Sequence, residues 1–166
     1  MSRRGEIAGQ IFIYILALVI VSLIVIYGYK AVRDLHSKSG RVALIEFTTD
    51  IQNTLERMST DYGSVMKKTM AVPSGFDAVC FIDTAEGPGD TQYRLVDDSW
   101  RSGAQANVFL VSKNTVEPIF AGDKDTGASY LSVDDEGEKF LCLESVNGRV
   151  EFAIRGMGNK AEVTRA

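Results

Sequence analysis

The stretch that decides the architecture is Ile11–Tyr27, IFIYILALVIVSLIVIY, in which every residue except Ser22 is apolar or aromatic. No charged side chain occurs from Ile7 to Tyr29. At a rise of about 1.5 Å per residue, roughly 20 such residues cross a hydrocarbon core of about 30 Å. A helix also satisfies its own backbone donors and acceptors, which the bilayer interior demands. Tyr14, Tyr27 and Tyr29 stand toward the ends, where amphipathic rings favour the interface, and Lys30 and Arg33 then stop the run. A cleaved secretory signal fits less well, because its apolar segment is usually about 7–15 residues long and ends at an A-x-A-like site. A core helix apolar on every side would need more chain around it than the roughly 120 residues that follow. The expectation is a transmembrane helix over 7–29, with the lipid bilayer as its first partner.

The tail before this helix, residues 1–6, is basic. The rest of the chain changes sign. Residues 1–41 carry six basic groups against Glu6 and Asp34, whereas 42–166 carry 12 basic and 20 acidic residues, about −8. So acidic a surface repels phosphate backbones, and nucleic-acid binding is not expected. Two rules disagree on orientation. Counting Lys and Arg on each side of the span puts the C-terminal domain in the cytoplasm. The very short tail holding Arg3 and Arg4, and the two cysteines, favour an extracellular domain on the plasma membrane.

Residues 30–62 read as a stalk that turns into an amphipathic helix. Leu44, Phe47, Ile51, Leu55, Met58 and Tyr62 recur at intervals of three and four, forming one apolar stripe that needs something to pack against. Ser37–Gly40 is the weak point, so the helix is either continuous or bent near Gly40.

From 63 to 166 the period becomes two. Strands are expected at Ser64–Val72, Phe76–Asp83, Asn107–Ser112, Thr115–Ala121, Lys139–Val146, Arg149–Arg155 and Lys160–Thr164. FDAVCFID is apolar on both faces. Asn147-Gly148 suits a type I′ hairpin between the fifth and sixth of these strands. Asp97-Asp98-Ser99 is a candidate cap for a short helical turn carrying Trp100, a residue more often core than contact. The fold class is α+β: a long N-terminal helix, transmembrane and then amphipathic, packed on a mainly antiparallel β-sheet domain.

Chemical motifs are sparse. The single histidine, His36, lies in the charged stalk, which leaves no His/Cys zinc set and no Ser-His-Asp triad near the sheet. Gly122–Ser129, GDKDTGAS, has P-loop glycine spacing, but Ala128 stands where the lysine belongs. Asp123 and Asp125 suggest calcium, yet Ala128 also occupies the position of the loop glycine, and a solvated acidic loop is the better reading. No cofactor, no metal, no catalytic residue and no small-molecule substrate are expected. Cys80 and Cys142 sit in apolar strands, either as buried thiols or as a bridge between strands contributing about 2–4 kcal/mol.

Ser2-Arg3-Arg4-Gly5, followed by Glu6 and the apolar helix, resembles the class III signal of archaeal type IV pilin-like proteins. The resemblance implies a membrane peptidase cutting between Gly5 and Glu6, and an apolar helix that packs with copies of itself or related pilins in a filament. Many pilins carry Glu at the fifth mature position, where this chain has Gln10. GQIFIYILALVI, SWRSGAQANVFLV and FLCLESVNGRVEF also resemble single-span proteins of small-genome archaea. The function implied is a pilin-like surface protein, structural or adhesive. The alternative is an uncleaved single-pass accessory or binding protein that does not polymerise.

Overall fold

The computed structural model describes residues 4–85, 87–89, 91–123, 125–135 and 137–166, with the side chains of 4–11 and 34–39 outside the description. Helix α1 spans Arg4–Thr60, and the chain divides into two compact units, Met1–Arg41 and Val42–Ala166. The first unit contains the apolar part of α1. From Phe12 to Arg33 its mean hydropathy is 2.6 with none of it buried, so it is long and apolar enough to cross a membrane. Inside it, the Ser22 hydroxyl donates to the Leu18 carbonyl 2.7 Å away, which turns this polar side chain in the middle of the apolar run against its own backbone. The helix does not break at Ser37–Gly40.

The second unit opens with the last turns of α1 and continues through β1 (Val65–Ala71), β2 (Ala78–Ile82), α2 (Arg94–Arg101), β3 (Val108–Val111), β4 (Val116–Ile119), β5 (Leu131–Val133), β6 (Phe140–Glu144), β7 (Arg149–Gly156) and β8 (Ala161–Arg165). The strands form two four-stranded sheets, ordered β1-β7-β8-β5 and β4-β3-β2-β6. All pairings are antiparallel except β5 with β8. This is the α+β arrangement expected from the sequence.

Between the sheets lies the main core. Phe47, Ile51, Leu55 and Met58 of α1 are buried there with Val79 and Phe81 of β2, Leu110 of β3, and Phe152 and Ile154 of β7. At about 1.5–3 kcal/mol of transfer free energy for each large apolar side chain, the four helical residues outweigh any single cross-link in the domain. The second half of α1 is therefore a structural element of the domain, as its stripe demanded. Phe81 and Phe152 pin one sheet to the other, with ring centroids 4.9 Å apart and planes tilted by 53°. Asp83, at the end of β2, closes the seam: its carboxylate accepts from Ala85 N–H at 2.9 Å and from the Ser132 hydroxyl of β5 at 3.0 Å.

A second, smaller core covers the opposite face of the β4-β3-β2-β6 sheet. Ala78, Cys80, Ile82, Phe109 and Val111 pack there with Val96 of α2, with Tyr93 and Trp100 at the margin. Every residue of β2 and β3 is buried as a result. That double coverage is the physical reason FDAVCFID carries no polar face.

Four local expectations change. Asn147 and Gly148 have φ of 53° and 73°, as a type I′ turn requires. The flanking strands nevertheless share only the bridge Val146–Arg149 and then part, β6 pairing with β2 and β7 with β1 and β8. Both edges of β7 are occupied, so the turn is a corner between sheets instead of a hairpin. Tyr62 falls after the end of α1 and is 80% exposed, so the buried stripe stops at Met58. Asp97 does not cap α2, which starts three residues earlier after Tyr93; its carboxylate instead accepts from Thr91 N–H at 3.2 Å and Thr91 Oγ1 at 2.8 Å. Finally, β5 forms in a stretch with no expected strand.

Candidate functional site

Cys80 and Cys142 are joined by a disulfide with Cα atoms 4.0 Å apart. They are direct partners in the β2–β6 register. Asp77–Ser145 and Asp83–Lys139 mark hydrogen-bonded pairs on either side, and the alternation places the cysteines at a non-hydrogen-bonded pair, where side chains approach most closely. Cys80 is fully buried on an interior strand, whereas Cys142 sits on the edge strand and is only partly buried.

The acidic loop is held by its own groups. The Asp123 carboxylate accepts from Asp125 N–H at 2.9 Å and from Thr126 Oγ1 at 2.7 Å. The Thr126 bond, then the Asp125 amide, lowers the Asp123 carboxyl below its ordinary value. Behind the loop, the buried Asn107 side chain donates to Ala121 O and Ser129 Oγ, each at 2.8 Å, and accepts from Ala121 N–H at 2.7 Å. Sequence reading did not single out Asn107; only its polarity at the head of an apolar strand marks it. Among the described residues no three His, Cys, Asp or Glu side chains gather to hold a metal ion.

Among the clefts that the described residues of the domain line, three stand out by position. One of ≈ 740 Å³ runs beside Trp100, Gln105 and Phe120. A second, of ≈ 640 Å³, lies at the end of the disulfide-bearing sheet among Asp77, Tyr93, Lys113 and Glu144. The third, of ≈ 360 Å³, is lined by Asp135, Glu138, Phe140, Cys142 and Arg165. In the second cleft burial, reinforced by the nearby Glu144 carboxylate, raises the Tyr93 phenol above its ordinary value of 10.0. A phenol whose folded-state value is raised contributes stability that is full below its unfolded value and is lost as pH climbs through the folded one. Stability of Tyr93→Phe, measured by urea titration from pH 7 to 11, should therefore fall less steeply above about pH 10 than that of the wild type.

The sequence-derived candidates meet different fates. The two cysteines come together. Gly5 and Glu6 belong to α1 through their backbone, with side chains outside the described residues, as is the side chain of His36. Trp100 packs against the second core and also borders the largest of the three clefts, so it serves as both core and wall. No family model, no curated protein and no solved structure matches this chain.

Proposed function

We propose that this chain is a membrane-anchored, pilin-like surface protein with a structural or adhesive role, its β domain outside the plasma membrane. The observation that carries the reading is the apolar half of α1. From Phe12 to Val32 its large hydrophobic side chains are 47–70% exposed. Water does not sustain an apolar surface of that extent, so lipid or the helices of neighbouring copies cover it. The disulfide supports an oxidising exterior. The basic, small-residue tail before the helix supports processing after Gly5. Catalysis forms no part of this reading.

N-terminal mass analysis of protein extracted from native membranes tests it. A chain beginning at Glu6, with filaments visible by electron microscopy, is the expected result. An intact N-terminus in membranes without filaments would replace it with the resident accessory protein. Protection of the β domain from protease added to intact cells would place that domain in the cytoplasm.

A further inference from the structure

We propose that Cys142 is a site of reversible S-thiolation, the one sulfur through which the Cys80–Cys142 disulfide exchanges with outside thiols in the folded protein. The two sulfurs are bonded to each other but live in different surroundings. Cys80 lies on β2, flanked by β3 and β6, and is fully buried beside Ile82, Val96 and Phe109. Cys142 lies on the edge strand β6 and lines the open ≈ 360 Å³ cleft. Exchange requires the attacking sulfur to reach one sulfur of the bridge with the other as leaving group, so access decides which is attacked. Only Cys142 offers that access.

The chemistry balances without a further reactant. An external thiolate attacks Cys142 Sγ, the bond to Cys80 breaks, and Cys80 departs with the electron pair and takes up a proton. The external thiol is oxidised into the mixed disulfide on Cys142, and Cys80 is reduced. Burial in apolar surroundings disfavours the Cys80 thiolate. The forward step is accordingly slow, and the bridge re-forms when Cys80 attacks the mixed disulfide.

The cleft also selects by charge. Asp135 and Glu138 stand in its wall, and its one described cation, Arg165, is bound to Asp135 at 3.2 Å. Around it the 42–166 region carries about −8. The cationic thiol cysteamine should open the bridge faster than anionic reduced glutathione. Their disulfides, cystamine and oxidised glutathione, should keep that order against a Cys142 thiol freed by Cys80→Ser, and added salt should shrink the difference.

The test uses full-length protein in detergent, with folding of each variant checked by near-UV circular dichroism. In Cys80→Ser, the thiol of Cys142 should form the cystamine adduct at least about tenfold faster than the thiol of Cys80 in Cys142→Ser, and guanidinium should erase the difference. The rate ratio of cystamine to oxidised glutathione should exceed the ratio for the denatured chain at low salt. Wild-type protein treated with limiting cysteamine and quenched in acid provides a readout independent of either variant: the adduct should map to Cys142. Equal rates for the two thiols, a preference for the anionic probe, or an adduct on Cys80 would overturn the proposal.

Discussion

Gly156→Ala should destabilise the β domain by about 3 kcal/mol, near the top of the range for forcing extra volume into a packed site. Gly156 ends β7 where α1 ends above it. An added Cβ would fall on the Asp61 carbonyl and 2.6 Å from the Met58 carbonyl oxygen. Neither is a flexible side-chain tip; both are backbone at the helix terminus. The same glycine accepts from Gly63 N–H and donates to the Ser64 carbonyl, each at 2.9 Å, so its backbone cannot retreat without breaking the first rung of the β1–β7 pairing. Its φ is not in the left-handed region, so close approach alone demands glycine here. Urea unfolding monitored at Trp100 measures the loss. Gly40→Ala is the control: its Cβ meets nothing within 4 Å, and inside a helix it should cost no stability and add at most about 1 kcal/mol. Equal stability of Gly156→Ala and wild type would mean that the helix end does not pack on β7 as described.

This contact shows which parts of the fold a sequence can announce. The apolar run is unbroken from Ile11 to Val21 and the stripe from Phe47 to Met58 is periodic, and both are local properties that survive in the linear chain. The double burial of FDAVCFID was also visible, as an absence of polar alternation, although the covering layer of α2 and its flanking loops was not. Partner choice was hidden. Asn147-Gly148 dictates a turn, but whether the strands stay together after it depends on what else competes for β7, and that is settled by β1 and β8, distant in sequence. Three residues suffice for β5 because β8 supplies its ladder; no window that short carries a period. The cysteine pair was legible as a possibility only, since its register rests on β2–β6 pairing across 62 positions. The difference in access between Cys80 and Cys142 follows from strand order, which the linear chain does not state.

Asn107→Leu should cost about 3 kcal/mol, because two buried backbone groups lose their partners at once. Asn107 is fully buried where β3 begins. Its backbone continues the ladder on both sides, accepting from Ile82 N–H at 2.9 Å and donating to Ile119 O at 3.1 Å. Its side-chain amide then does for Ala121 what a neighbouring strand would do, accepting from its N–H and donating to its carbonyl. Ala121 is itself fully buried, so water cannot take over either bond. Leucine is close in volume, which removes the cavity as an explanation and isolates the polar loss. The remaining Asn107 proton reaches Ser129 Oγ, which in turn accepts from Leu131 N–H at 3.1 Å and so holds the entry to β5. Loss of this amide should therefore loosen a defined segment first, from Ala121 to Leu131. Native-state hydrogen exchange distinguishes that outcome: protection of the Ala121 and Leu131 amides should drop by more than that of the β1–β7 amides under conditions where the variant remains folded. A uniform drop across both sheets would show that Asn107 contributes to global stability without anchoring the loop.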